Sequence, residues 1–160
     1  MAEINNRLAS HRTREFRTVL NKIIVGVDET ESAYAAATRA AELALALDAE
    51  LWLMSAYGKF EAEKLDLGGE EFFFTNEQSA LDMLNSVGQR LRADVAGVRM
   101  HLAAEEGQPA EAIVHLEKRI GADLIVVGNR RVQGPMRVFG SIARDVAART
   151  SCDLYVVHTT

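Results

Sequence analysis

The chain is poor in cysteine, because Cys152 is the single one among its 160 residues. This excludes a disulfide framework, a cysteine-ligated metal centre and a C-x-x-C redox pair, and it is typical of intracellular proteins. None of the apolar runs reaches the roughly 18 residues of a membrane span. The opening residues 1–20 lack the apolar centre and cleavage pattern of a secretory signal. We therefore expect a cytoplasmic protein that has no membrane as its partner.

Several catalytic motifs are missing as well. The glycine-containing loop after residue 128 carries no GK[ST] sequence, and the chain has no G-x-G-x-x-G fingerprint and no G-x-S-x-G elbow. Its four histidines show none of the short spacings that metal ligands favour; they are His11, His101, His115 and His158. The sequence therefore shows neither a nucleophile with its base nor a set of metal ligands.

Basic residues are concentrated in one segment of an otherwise acidic chain. The formal net charge is -5, which argues against nucleic acid or an anionic membrane as the main partner. Residues 128–149 nevertheless contain five arginines and one acid. This segment runs through Gly140-Ser141 into a helical pattern, and exposed backbone N–H groups at such a position suit phosphate. The alternative is that these arginines are solvated or pair with acids of the protein.

Short apolar runs alternate with helical patterns along the chain. The hydrophobic fraction of 48% and the charged fraction of 26% are those of one globular domain. The runs predict strands at Lys22–Asp28, Glu50–Tyr57, Gly97–Ala103, Asp123–Gly128 and Asp153–His158. Apolar periodicity and cap residues predict helices at Ser32–Leu47, Asn76–Ala93, Pro109–Ile120 and Ser141–Thr150. Helical spacing places six residues on one face of the first helix: Ala33, Ala36, Ala37, Ala40, Ala44 and Leu47.

This alternation predicts an α/β fold with an open, doubly wound, five-stranded parallel sheet and helices on both faces. A closed barrel of eight units would need a longer chain. Residues 1–19 form a polar N-terminal arm, which is either a mobile or exposed segment or a docking arm. The long connection Gly58–Thr75 contains Phe72–Phe74, which either cover an edge of the core or present a contact surface.

The point of reversed strand order is where open α/β sheets bind ligands, beyond the carboxyl ends of the strands. If the first strand is central, Val27 and Asp28 face Val127 and Gly128 across that point. Residues 28–31 read Asp-Glu-Thr-Glu, which predicts a capping box with Asp28 as the N-cap of the first helix. That role is compatible with a contact from Asp28 to a ribose hydroxyl or an adenine amine.

Five segments together resemble the universal stress protein family over residues 20–160. They are Ile23–Asp28, Glu106–Ala110, Ala122–Gly128, Gly140–Ala143 and Cys152–Val157. The resemblance implies a flavodoxin-like, Rossmann-like sheet with strand order 3-2-1-4-5. It also implies a homodimer that pairs the last strands, and Leu154–Val157 would otherwise be an unprotected apolar edge.

The ATP-binding branch of this family carries the motif G-x2-G-x9-G-[ST]. The resemblance implies a stress-response regulator that binds an adenine nucleotide, ATP or AMP, with Mg²⁺ only if the triphosphate is bound and with slow ATP hydrolysis at most. Val27, Asp28 and Ala56 would contact base or ribose, and the loop residues would hold ribose and phosphates. The full set of site residues is Gly26, Val27, Asp28, Ala56, Val127, Gly128, Arg130, Arg131, Gly140, Ser141 and Ile142.

The chain departs from this motif at two points. Arg131 occupies the second glycine position, and eight residues rather than nine separate it from Gly140. Either Gly134 and the arginines preserve nucleotide binding with altered affinity, or the site is closed and the protein is a nucleotide-free dimeric interaction protein. A small-molecule enzyme on the same fold is the third alternative, for which the sequence offers no catalytic set.

Overall fold

A computed structural model describes residues 19–58, 76–129 and 141–159 of the chain. Five strands and four helices alternate: β1 (Lys22–Gly26), α1 (Glu31–Leu47), β2 (Glu50–Tyr57), α2 (Glu77–Asp94), β3 (Arg99–Glu106), α3 (Pro109–Ile120), β4 (Leu124–Asn129), α4 (Ser141–Ala147) and β5 (Asp153–His158). The strands form one parallel sheet in the order β3-β2-β1-β4-β5, which confirms the predicted fold class and topology. The N-terminal arm up to residue 18 and Phe72–Phe74 lie outside the described residues.

The side chains of the sheet alternate between two cores, as the period of a strand requires. Ile23, Val25, Leu51, Leu53 and Val126 pack beneath α1 and α2 on one face. The core on the opposite face combines residues of the sheet with residues of α3 and α4; its members include Ile24, Met54, Ile125 and Val127 of the sheet, Ile113 and Leu116 of α3, and Val146 of α4. The sheet is therefore covered on both faces, which accounts for the continuous apolar runs of β1 and β4.

An alanine stripe on α1 faces the sheet. Its members are Ala36, Ala37, Ala40, Ala41 and Ala44, each at most 1% exposed. Side chains that end at Cβ let the helix lie close to β1 and β4. Leu47, which the periodicity placed on this face, is 42% exposed. That part of the prediction was wrong because the helix ends there, one residue before Asp48 turns the chain into the left-handed region.

The start of α1 also differs from its prediction. The N-cap is Thr30, whose Oγ1 accepts a hydrogen bond from Ala33 N at 3.2 Å. Asp28 is not the cap; its Oδ1 accepts from Thr30 N at 2.8 Å and from Thr30 Oγ1 at 2.5 Å. Aspartate and threonine are both good N-caps, so the local sequence fits either register. Asp28 therefore shapes the turn that leads into the cap.

Strand β3 is longer than predicted at its carboxyl end. Ala104 and Glu105 pair with Ser55 and Ala56 of β2, so the strand continues to Glu106. Glu105 is buried, and its carboxylate accepts a hydrogen bond from Arg119 and lies 3.3 Å from His115 Nδ1. Because α3 supplies these partners, an acidic side chain can be buried in the strand. The sequence alone does not show these partners, so the predicted strand ended before Glu105.

A buried carboxylate on α3 fixes the connection between α4 and β5. Glu117 is 2% exposed. Its Oε1 accepts from Ser151 N at 3.2 Å and from Ser151 Oγ at 2.5 Å, and its Oε2 accepts from Thr150 Oγ1 at 3.1 Å. Helix α4 ends at Ala147 rather than at the predicted Thr150, because Thr150 already belongs to this connection.

Candidate functional site

A cleft of about 200 Å³ opens at the carboxyl ends of the strands, where the strand order reverses between β1 and β4. The ends of β1, β2 and β4 and the starts of α1, α3 and α4 all contribute to it. Its lining residues are Gly26, Val27, Asp28, Thr30, Ser32, Ala33, Met54, Ser55, Ala56, Pro109, Ile113, Val127, Gly128 and Ile142. This is the position at which open α/β sheets bind ligands.

One side of the cleft is apolar. Met54 and Val127 come from the sheet, and Ile113 comes from α3. Val27 directly follows β1 and also lines the cleft, but it packs into the core under α1 and α2. The backbone of Gly26 lies close to Ile113, because a Cβ at residue 26 would stand 3.2 Å from Ile113 Cδ1. A flat aromatic base can remove such a surface from water without leaving polar groups unpaired.

Ser55 adds a hydroxyl to this apolar side. The residue is 6% exposed and lines the cleft near Ala56. A hydroxyl can both donate and accept a hydrogen bond, so Ser55 offers a polar contact on the otherwise apolar side of the cleft.

The other side of the cleft is polar and belongs to the start of α1. Asp28 is the one charged side chain among the described lining residues. Thr30 is bonded to Asp28, and the Ser32 Oγ lies 2.6 Å from Thr159 Oγ1. Thr159 in turn donates to the carbonyl oxygen of Asn129 at 2.9 Å. Hydrogen bonds thus connect the start of α1 to the ends of β4 and β5.

Gly128 holds the end of β4 against this wall. A Cβ at residue 128 would lie 3.4 Å from Ser32 O and 3.5 Å from Ala36 Cβ, which is ordinary contact. A larger side chain would have to displace α1. Close helix–strand packing therefore limits this position to a small residue without requiring glycine.

Seven of the eleven predicted site residues line the cleft: Gly26, Val27, Asp28, Ala56, Val127, Gly128 and Ile142. Ser141 is the first residue of α4. Arg130, Arg131 and Gly140 lie outside the described residues.

Sequence reasoning missed seven lining residues, which are Thr30, Ser32, Ala33, Met54, Ser55, Pro109 and Ile113. Most of them occupy the end of β2 or the first turns of α1 and α3. In a parallel α/β sheet these positions surround the point of reversed strand order. The predicted topology would therefore have been enough to identify these residues.

Among the described residues, the other chemistry-bearing side chains form neither a metal centre nor a reactive thiol. Within the described ranges, no group of three or more histidine, cysteine, aspartate or glutamate side chains is placed to hold a metal ion. Cys152 is half-buried, and burial raises the pKa of its thiol. The raised pKa disfavours the reactive thiolate. Helices long and apolar enough to cross a bilayer are absent from the part of the chain that the structure describes.

Comparison with known proteins decides the family. The model of the universal stress protein family matches residues 20–158. The chain belongs to the universal stress protein family. Universal stress protein Rv1636 of Mycobacterium tuberculosis is 34% identical over 148 residues, which cover 86% of this chain and 96% of that protein.

Solved universal stress proteins share the fold. One, crystallised in complex with cAMP, is 25% identical and superposes with a TM-score of 0.69, covering 89% of this chain and 100% of its own. The crystal structure of Rv1636 is 28% identical with a TM-score of 0.58, over 89% of this chain and 98% of its own. The universal stress protein described here therefore matches these relatives over nearly their whole length.

Proposed function

We propose that this universal stress protein is a stress-response regulator that binds an adenine nucleotide, ATP or AMP, in the cleft at the carboxyl edge of the sheet. The observation that carries the proposal is the pairing of an apolar side with a polar wall in one cleft at the point of reversed strand order. A base fits the first and a sugar fits the second. The complex of a related universal stress protein with cAMP supports the same ligand class.

The proposed roles follow from the cleft for the described residues and from the family resemblance for the others. Val27 and Ala56 contact the base, and Asp28 contacts the ribose. Gly128 and Ile142 line the part of the cleft that we assign to the sugar and phosphates. The resemblance assigns the same role to Ser141, Gly140 and the arginines 130 and 131. Mg²⁺ accompanies the triphosphate if ATP is the ligand. No described lining residue pairs a nucleophile with a base, so we expect slow ATP hydrolysis at most. We place this activity in the cytoplasm, as the single cysteine indicates.

Freshly purified protein is expected to release an adenine nucleotide on denaturation, detected by absorbance and mass spectrometry. The emptied protein should then bind ATP, AMP or cAMP in a calorimetric titration. A protein that is purified empty and gives no heat with any of the three would contradict the proposal. It would favour the alternative, a nucleotide-free interaction protein whose site is closed by Arg131 and the shortened loop.

The second part of the proposal is a homodimer formed through β5. This strand lies at the edge of the sheet, and Tyr155 is 39% exposed on it, between the half-buried Leu154 and Val156. An edge strand with apolar side chains is a ready surface for pairing with a second strand.

Size-exclusion chromatography with light scattering should give twice the chain mass of 17.6 kDa. Tyr155→Asp should give a monomer, because pairing of the edge strands would then bury an unpaired carboxylate in the interface. Leu45→Asp is the matched control: Leu45 is 49% exposed on α1, and this variant should remain dimeric. A monomeric wild type, or a Tyr155→Asp variant as dimeric as the control, would refute pairing through β5.

A further inference from the structure

The hydroxyl of Ser32 is held in a chain of hydrogen bonds whose direction is fixed. Thr159 Oγ1 donates to the carbonyl oxygen of Asn129 at 2.9 Å, and a carbonyl can only accept. The single hydroxyl proton of Thr159 is thereby used. In the 2.6 Å contact between Ser32 Oγ and Thr159 Oγ1, Ser32 must be the donor. The hydroxyl of Ser32, which lines the cleft, then has only lone pairs to offer a bound molecule.

The neighbouring polar groups of the wall have the same character. Thr30 Oγ1 donates its proton to Asp28 Oδ1 and accepts from Ala33 N. An ionised aspartate only accepts. Asp28, Thr30 and Ser32 therefore form an acceptor wall, in which every side-chain proton is already bonded within the protein. Thr159 is 7% exposed, so water has little access to the group that fixes the Ser32 proton.

An acceptor wall distinguishes the parts of a nucleotide. Phosphate oxygens at pH 7 are themselves acceptors and gain no hydrogen bond from these side chains, whereas sugar hydroxyls can donate to them. We propose that Ser32, held as an acceptor by Thr159, selects nucleotides that present a free sugar hydroxyl, and that Thr159 is the positioning residue for this selection. The inference rests on the proposed nucleotide-binding function, and it adds the part of the ligand that the wall recognises.

The test compares the affinities of one sugar series. Wild-type protein is titrated with AMP, 2′-deoxy-AMP, 3′-deoxy-AMP and 2′,3′-dideoxy-AMP by calorimetry. We expect 2′,3′-dideoxy-AMP to bind on the order of tenfold more weakly than AMP, because the wall acceptors are left unpaired. The two monodeoxy compounds show which hydroxyl is recognised.

Three variants separate the role of Ser32 from that of the rest of the wall. The ratio to compare is the affinity for AMP divided by the affinity for 2′,3′-dideoxy-AMP. In Ser32→Ala, this ratio should fall about threefold or more. Thr159→Val keeps Ser32 but removes the acceptor of its proton, so the ratio should fall similarly. Thr159→Ser retains the hydroxyl and should preserve the wild-type ratio. Circular dichroism and urea midpoints verify that each variant is folded.

The outcomes distinguish the two proposals. If AMP binds and the ratio is the same in wild type, Ser32→Ala and Thr159→Val, the acceptor role of Ser32 is wrong while nucleotide binding stands. An equal affinity of the wild type for AMP and 2′,3′-dideoxy-AMP leads to the same conclusion. If no member of the series binds to the wild type, the proposed function fails and this inference fails with it.

Discussion

Asp28→Ala is expected to weaken the binding of AMP by the full chain at least tenfold. Asp28 is the one charged side chain among the described lining residues, and its Oδ1 is occupied by Thr30 N and Oγ1. The second carboxylate oxygen remains for a ligand donor. A hydrogen bond to a charged group contributes about 1.5–3 kcal/mol, which corresponds to roughly ten- to a hundredfold in affinity. Calorimetric titration of both proteins measures the difference.

Two further variants identify the cause of the loss. Asp28→Asn keeps an oxygen for Thr30 and removes the charge, so affinity close to wild type in this variant would mean that Asp28 only shapes the turn. Glu29→Ala makes the same change in net charge at an exposed neighbour that does not line the cleft. It should bind AMP as the wild type does. If Glu29→Ala lost as much AMP affinity as Asp28→Ala, long-range electrostatics would explain the loss, and a direct contact from Asp28 would be contradicted.

Glu117→Ala is expected to lower the free energy of unfolding by about 2–4 kcal/mol, since a hydrogen bond to a carboxylate contributes about 1.5–3 kcal/mol and the half-buried and exposed donors can recover part of the loss from water. Glu117 is 2% exposed and accepts from Ser151 N, Ser151 Oγ and Thr150 Oγ1. Its removal leaves these three donors without their acceptor in the connection between α4 and β5. Urea unfolding at constant slope measures the change.

Glu111 provides the control on the same helix. It pairs with Arg149 at 2.9 Å, but the two side chains are 58% and 51% exposed. Exposed ion pairs contribute little, so Glu111→Ala should change the unfolding free energy by less than about 1 kcal/mol. Equal stability of the two variants would show that the connection after α4 satisfies its donors without Glu117.

The residues that begin and end helices and strands explain which elements could be predicted from the sequence. Helix α3 was predicted from Pro109 to Ile120 without error, because proline opens a helix and Gly121 closes it in the left-handed region at φ 66°. The carboxyl end of β3 was missed because the partners of Glu105 come from α3, and composition alone does not show them. The cap of α1 was misassigned because Asp28 and Thr30 satisfy the same local rule.

The site was predictable to the extent that topology determines it. The ends of β1 and β4 follow from the strand order, and Val27, Asp28, Val127 and Gly128 do line the cleft. The contact between Ser32 and Thr159 joins residues 127 positions apart. No periodicity or motif marks such a pair, so the acceptor character of the wall emerges only from the folded structure.

The alanine stripe of α1 acts as a spacer that sets the width of the cleft. Thr30 and Ser32 lie at the start of the helix whose height above the sheet is fixed by Ala36, Ala37 and Ala40. Because these side chains end at Cβ, α1 already lies near its limit of approach. Bulkier residues in the stripe would raise the helix and carry the polar wall with it. The dimensions of the cleft can therefore be tuned by residues that never touch what it holds.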